Sequence, residues 1–257
     1  MLGKYLKYDT SLSFFERVYI SIFGVPINGL RIRARRVLPL INHKYKSIMD
    51  AGCGTGIFSF EIATKFPNTK VTGIDIDESA VKTNKKIAEK LNLKNCFFEV
   101  LNLENLSFQN KFDLILSIDN LEHIEDESII LNKFYNALIS DGELILHVPG
   151  LYRRWKFFGW ATNFHIEGHF RPGYTKEQIS TLLNNAGFII KDSYYTYGWI
   201  ETITNNISYW ITKAQMKNKL IYAAVFPFLN FFSYLGRNSK PNKGAGVLII
   251  AQKHVQI

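Results

Sequence analysis

The segment Ile48-Met49-Asp50-Ala51-Gly52-Cys53-Gly54-Thr55-Gly56 ends an apolar run in a carboxylate and then alternates three glycines. Glycine at 52, 54 and 56 removes the β-carbons from one side of the turn, so backbone N–H groups and the start of the next helix can approach a ligand closely. This is the pattern of a nucleoside-cofactor turn. Dinucleotide enzymes use G-x-G-x-x-G, whereas here the third glycine comes one residue early and Ile57 follows it. A carboxylate at Asp50 suits a cofactor carrying a cationic ammonium and sulfonium, and would repel a pyrophosphate on the helix N-terminus. A nicotinamide-dependent oxidoreductase is therefore the weaker reading.

The elements that position this turn follow in regular alternation. A helix at about 57 to 66 leads to the strand Val71-Thr72-Gly73-Ile74-Asp75, whose terminal acid lies close to the spacing of about 20 residues typical of ribose-binding acids. Cys96 to Val100 reads as a third strand, followed by Asn102-Leu103-Glu104-Asn105-Leu106; Phe112 to Ser117 reads as a fourth, followed by Ile118-Asp119-Asn120-Leu121-Glu122-His123. A helix near 127 to 139, a strand at Gly142 to Val148, a helix near 176 to 186, a strand at Phe188 to Tyr195 and a last strand near 244 to 253 complete the series. Thr175 and Gln178 form a capping-box signature at the start of the helix near 176, and Gly187 stops it. Such alternation argues a mostly parallel sheet with helices on both faces.

In order and spacing these motifs resemble the class I S-adenosylmethionine-dependent methyltransferases, over roughly residues 46 to 197 and the last strand. The resemblance implies a Rossmann-like α/β fold, doubly wound, with a mostly parallel seven-stranded sheet, helices on both faces and an added helical lid. It implies S-adenosylmethionine as cofactor and S-adenosylhomocysteine as product, with Asp50, Gly52, Cys53, Gly54 and Gly56 forming the cofactor turn. It further places Asp75 on the ribose hydroxyls, Ile76 under the adenine ring, Asn102 and Leu103 beside the adenine, and Asp119 beside the methionine part. Asn102 stands where Asp is more usual, but its amide oxygen can still accept from the exocyclic amine. Singly, each feature has a plainer reading, because a glycine turn can be a tight connection and a strand-end Asp a helix cap.

The reaction so implied is in-line displacement at an activated methyl, for which a protein supplies mainly orientation and exclusion of water, with a base needed for some acceptors. His169 and, secondarily, His123 are the candidate catalytic residues; Tyr152, Arg154, His165, Arg171 and Tyr174 are the candidate acceptor contacts. The plainer readings are that the segment His165 to Tyr174 holds its own loop, that His123 orients a helix, and that Tyr152 to Lys156 is a solvated surface loop. The two prolines plus aromatic carried by nucleobase amino-methyltransferases are absent from Ser117 to Leu121, and features of protein arginine methyltransferases are not visible either. With only Cys53 and Cys96, neither a disulfide framework nor a thiolate metal site is indicated, no metal is expected, and a reducing cytoplasm fits.

The 257 residues, 47% hydrophobic, suffice for one α/β domain with additions: a helical extension over 1–45, a cofactor core over 46–197, an aromatic insertion over 198–243 and the last strand within 244–257. The net charge of +9 is unevenly placed. Arg17 to Met49 holds seven basic residues and no acid, and so does Thr202 to the C-terminus, leaving 17 basic and 22 acidic residues elsewhere, a balance of −5. Both flanks are also apolar, as in Val18 to Leu30 and Leu220 to Gly236, though neither reaches the stretch of about 20 residues that a spanning helix needs. Such basic, apolar flanks suit either a helical lid or contact with an anionic membrane surface from the cytoplasmic side. No export signal is evident, and nucleic acid is disfavoured because the aromatics are not interleaved with basic residues.

The expected function is transfer of a methyl group to a small-molecule, glycan or lipid-linked acceptor, O-methylation ahead of C-methylation of a quinone or isoprenoid. A non-catalytic S-adenosylmethionine-binding protein is the alternative. If Asp75 holds the ribose, Asp75→Ala weakens S-adenosylhomocysteine binding by roughly 10- to 100-fold in a calorimetric titration, as loss of charge-assisted hydrogen bonds requires; retained affinity would remove that assignment.

Overall fold

Apolar residues on both faces of the strands dictate a sheet covered on two sides. The computed structural model describes residues 1–154, 160–162, 168–212 and 218–254. After a 3-10 turn (Lys4–Tyr8), α1 (Phe14–Phe23) and α2 (Asn28–Val37) precede β1 (Ser47–Ala51), α3 (Ile57–Lys65), β2 (Lys70–Asp75), α4 (Glu78–Lys90), β3 (Cys96–Val100) and β4 (Phe112–Ile118). Then come α5 (Glu127–Ala137), β5 (Leu138–Pro149), a small hairpin of β6 (Tyr152–Arg154) and β7 (Trp160–Thr162), α6 (Lys176–Asn185), β8 (Phe188–Thr196), α7 (Trp199–Thr212), α8 (Lys219–Leu235) and β9 (Gly246–Lys253).

The main sheet is seven-stranded in the order β3-β2-β1-β4-β5-β9-β8. The first five strands in that order are parallel, and β9 is antiparallel to both β5 and β8. Consecutive strand residues feed two separate cores. Ile48, Leu114 and Leu116 pack with Phe58, Phe60, Val81 and Ile87 on one face. Met49, Ile115 and Leu144 pack with Ile130, Phe134, Ile179 and Leu183 of α5 and α6 on the other. The expected capping box is present: Gln178 N donates to Thr175 Oγ1 at 3.1 Å and Thr175 N donates to Gln178 Oε1 at 2.8 Å. β5 begins earlier than the expected Gly142, because α5 stops at Ala137 and Leu138 already pairs with Phe112 across a register shift.

The two basic flanks fold against each other, and this redirects their charge. The four arginines of α2 turn inward rather than toward solvent. Arg31 donates to the carbonyls of Val25 and Phe23, and Arg33 pairs with Asp119 at 2.9 Å. Arg35 donates to Ser233 and Asn230 of α8. Arg36 pairs with the buried Glu201 of α7 at 2.6 Å and donates to the carbonyls of Gly236 and Ser239. Of the two readings of this cluster, a helical lid or contact with an anion, its arginines follow the first: buried charges need partners, and carbonyls, Asp119 and the helices of the insertion supply them.

α8 carries Pro227 in its interior. Proline has no N–H, so the carbonyl of Ala223, four residues back, loses its helical donor. The hydroxyl of Tyr19 on α1 donates to that carbonyl at 2.7 Å, and Tyr19 packs against Tyr222, Phe226 and Leu229. The proline is thus accommodated by the N-terminal extension.

Removing one member of the Arg36–Glu201 pair leaves the other charge buried and uncompensated. Arg36→Met is expected to lower stability by about 3–5 kcal/mol in urea unfolding, with part of the loss recovered in Arg36→Met/Glu201→Gln.

Candidate functional site

At the carboxyl ends of β1 and β2 the glycine turn makes an open cradle. Gly52, Gly54 and Gly56 all have positive φ, and a β-carbon added at Gly54 would meet nothing within 4 Å. The other two glycines are fixed by packing: a β-carbon at Gly52 would lie 2.5 Å from Asn120, and one at Gly56 would press on Phe60, Phe98 and Asn84. The turn is pinned by Gly52 N and Cys53 N donating to Ile74 O, and by Asn84 Nδ2 donating to Gly54 O at 2.8 Å. Asp75 Oδ2 accepts from Gly54 N at 2.6 Å and Oδ1 from Asp77 N at 3.0 Å, leaving each oxygen a further lone pair toward the cradle. Beside it Ile76 is 70% exposed, an apolar side chain standing in the open where a flat ring could cover it.

Asp50 lies beneath this surface. It is buried, and its Oδ2 accepts from both the hydroxyl of Ser59, at 2.6 Å, and the Ser59 N–H, at 3.1 Å. Burial pushes its carboxyl up to about 6 against the lowering effect of those two bonds. Asn102 caps the 3-10 turn Leu103–Asn105 by accepting from Glu104 N, and Leu103 is buried beneath it. Burial raises the Cys53 thiol far above its usual range, which suits a packing role and not a nucleophile.

A cavity of about 460 Å³ opens on the other side of the β4 exit, lined by α2 and α7 and by Asp119, Glu122, His123, His147 and His169. Asp119 adopts φ +49°, a conformation Asp tolerates better than most residues. Its neighbour Asn120 packs on Gly52, so two adjacent residues join the cavity to the cradle. Asp119 Oδ1 meets His147 Nδ1 at 2.5 Å, and its Oδ2 meets Arg33. Burial works against its charge, but Arg33 and His147 together hold its carboxyl below the usual range. His147 on β5 reaches Thr196 of β8 at 2.9 Å, across β9 at Gly246, where a β-carbon would fall 2.7 Å from the imidazole. Arg33 also donates to the Tyr197 hydroxyl, which donates to the Gly29 carbonyl. Nearby, Glu122 is only 1% exposed and burial pushes its carboxyl up to about 8.

Of the expected catalytic pair, the structure brings both members to this cavity: the rings of His123 and His169 stand edge-on with centroids 4.4 Å apart. The expected acceptor contacts fare differently. Arg171 is spent on Glu127 and on the carbonyl of Glu125, clamping its loop to the start of α5. Tyr174 is buried against the chain near Pro149, whose carbonyl accepts from its N–H, and Tyr152 is exposed outside the cavity lining. His165 and the side chain of Arg154 lie outside the described residues. Asp119 points its carboxylate to Arg33 and His147 as well as to the cavity. Residues that sequence reasoning passed over are Arg33, Asn84, Asn120, His147, Tyr197 and Glu122. Asn120 and Glu122 stood within the segment noted after the fourth strand, and Arg33 within a basic cluster that suited either a lid or an anionic surface; the others carried no local signal.

Fold and cradle together define a nucleotide-cofactor protein of the class I methyltransferase type. Residues 42–222 match a family model described as a methyltransferase domain, and the chain belongs to the class I S-adenosylmethionine-dependent methyltransferases. Among curated relatives it is 37% identical over 197 residues to malonyl-[acyl-carrier protein] O-methyltransferase 2 of Ilyobacter polytropus, covering 75% of this chain and 66% of the relative. It is likewise 37% identical over 108 residues to malonyl-[acyl-carrier protein] O-methyltransferase 1 of the same organism, covering 42% of this chain and 39% of the relative. The matches thus span from about two fifths to two thirds of these relatives' lengths.

Two solved structures show the same fold. One is the phosphoethanolamine N-methyltransferase 2 of Haemonchus contortus in complex with S-adenosyl-L-methionine (TM-score 0.63, 17% identity, 99% of this chain and 61% of that one). The other is the O-methyltransferase from a trans-AT PKS multienzyme of Brevibacillus brevis in complex with S-adenosyl-L-homocysteine (TM-score 0.57, 15% identity, 99% and 80%). The open cradle at Gly54, the acid at Asp75 and the exposed Ile76 fit S-adenosylmethionine.

A carboxyl whose folded pKa is raised keeps its proton longer in the folded chain, so its contribution to stability falls as pH rises through that range. For Asp50 the window runs from about 3.8 to about 6. Asp50→Asn is expected to flatten the stability curve across it, read as the difference between variant and wild-type urea midpoints at successive pH.

Proposed function

We propose that this chain methylates an oxygen of a small-molecule, glycan or lipid-linked acceptor held in the cavity beside the β4 exit, while its α1 and α8 faces rest on a membrane surface. The observation that carries the reading is the adjacency of Asp119 and Asn120. One borders the cavity and the other packs on the cofactor turn, so an acceptor in the cavity lies next to the cradle. When bound, S-adenosylmethionine supplies a sulfonium methyl already activated for displacement. The chain's residues then have three tasks. Asp75, Ile76, Asn102, Leu103 and the glycine turn hold the cofactor. Helices α2 and α7 act as a lid that excludes water, with Asn28, Thr202, Asn205 and Tyr209 offering polar groups to the acceptor. Glu122, His123 and His169 are placed at the cavity wall to assist loss of the acceptor's proton. O-methylation agrees with the names of the Ilyobacter relatives, which are malonyl-[acyl-carrier protein] O-methyltransferases.

Membrane contact is supported by α8, which is apolar on its outer face as well as on its buried one. Tyr222, Phe226 and Leu229 fill its buried side, yet Leu220, Ile221, Phe228, Phe231, Phe232 and Leu235 are exposed. The adjoining α1 exposes Phe14, Phe15, Val18 and Ile22. A surface helix with apolar residues on its outer face as well has a second apolar partner to find. Among the described residues no helix is long and apolar enough to cross a membrane, so the contact proposed is interfacial.

Labelled methyl from S-adenosylmethionine, offered with a host-cell lysate, is expected in the organic-extractable products and absent with Asp75→Ala. Label confined to the aqueous phase would exclude a lipid acceptor, and no labelled product from any fraction would favour a binding protein. In parallel, Phe228→Ser/Phe232→Ser is expected to reduce co-flotation with anionic phospholipid vesicles while S-adenosylhomocysteine binding stays unchanged; undiminished flotation would remove the membrane contact.

A further inference from the structure

Glu122, His123 and His169 bring one carboxylate oxygen and two imidazole nitrogens within 4.8 Å of one another at the cavity wall. We propose that these three residues bind a divalent transition-metal cation, of the zinc type, whose open coordination positions face the acceptor.

The donor set is the first support. Two neutral imidazoles and one carboxylate are the ligands of open zinc sites and of related divalent ions, and three protein ligands leave positions free for water or substrate. With bonds of about 2.0–2.2 Å to each ligand, the donor atoms of a tetrahedral site stand about 3.4 Å apart. The donors, within 4.8 Å of one another, have to close by at most about 1.4 Å to reach that spacing.

The backbone is already fixed for it. His123 Nδ1 lies 2.9 Å from the carbonyl oxygen of Gly168, and only a protonated ring nitrogen can make that bond. Nε2 is thereby left as the ring's lone-pair nitrogen, which is the arrangement that outer-shell carbonyls impose on metal-bound histidines. Phe170 N donates to the carbonyl of Glu122 at 2.9 Å, so the bonds from Gly168 and Phe170 bracket His169 and hold it beside His123. The glutamate supplies the independent observation. Its side chain is almost wholly buried, and its Oε2 has no hydrogen-bond partner among the described residues. A buried carboxyl oxygen without a hydrogen-bond partner carries a desolvation cost that a bound cation would relieve, and Nη1 of the nearby Arg33 is already bonded to Asp119 and Tyr197.

The consequence for the reaction rests on the methyltransferase reading above. Glu122, His123 and His169 would hold the cation, which would make a coordinated acceptor hydroxyl more acidic, the oxygen keeping the electron pair as its proton is lost to solvent while the site is still open. The site itself does not depend on that reading, and its test needs no acceptor.

The full chain is stripped with EDTA, dialysed and titrated with Zn²⁺ by calorimetry and with Co²⁺ by visible absorption. One equivalent per chain is expected, with ligand-field bands for Co²⁺. In His123→Gln/His169→Gln the affinity is expected to fall by at least the roughly 10- to 100-fold that loss of an outer-shell partner alone costs, while melting temperature without metal and S-adenosylhomocysteine affinity are kept. Glu122→Gln and His123→Gln singly give the same reading should the double variant not fold. Absence of saturable binding, or unchanged affinity in these variants, overturns the site. Metal binding without methyl transfer would instead refute the functional reading and leave the site standing.

Discussion

One carboxylate, Asp119, ties together parts of the chain that are remote in sequence. It takes Arg33 from the N-terminal extension on one oxygen and His147 from β5 on the other, and His147 passes the link to Thr196 across β9. Three charges or dipoles that would each be costly to bury alone are satisfied by one another. The site depends on this link, since the same residue holds α2 over the cavity and fixes the exit of β4, from which Asn120 bears on the cofactor turn. Were Arg33 not neutralised there, a guanidinium would face the cavity; were Asp119 not neutralised, the carboxylate would.

The cofactor half was legible because its information is local. Glycine spacing, an acid at the end of the second strand and the capping box at Thr175 each operate within a few residues, and all are found where the sequence placed them. The fold class followed from alternation, and the strand run at 244 to 253 was recognised although its antiparallel place between β5 and β8 rests on pairing far along the chain. The cavity side was less legible for a physical reason. Arg171 reads in sequence like a ligand grip, yet its charge is answered by Glu127, a partner 44 positions away. His147 lies near the carboxyl end of the apolar strand β5 and has no local signal at all; its partners come from the β4 exit and from β8.

The basic flanks illustrate the same limit in reverse. Counting charges located a real asymmetry, but the count could not show direction. Folding turned the arginines of α2 toward α7, α8 and the β4 exit, so that the basic stripe fastens the insertion to the N-terminal extension, and the extension to the core. What remains outward on those helices is largely apolar.

The position of β9 carries a consequence for how the chain folds. Its two neighbours, β5 and β8, cannot be joined in one sheet until it docks, and α7 and α8 lie between β8 and β9 in the chain. Until then β5 is an open edge and His147 has no route to Thr196. Pairing across such sequence distances carries a large loop-closure entropy and is slow. The two helices must therefore be made, and kept from aggregating through their apolar faces, before the sheet that supports the cavity exists.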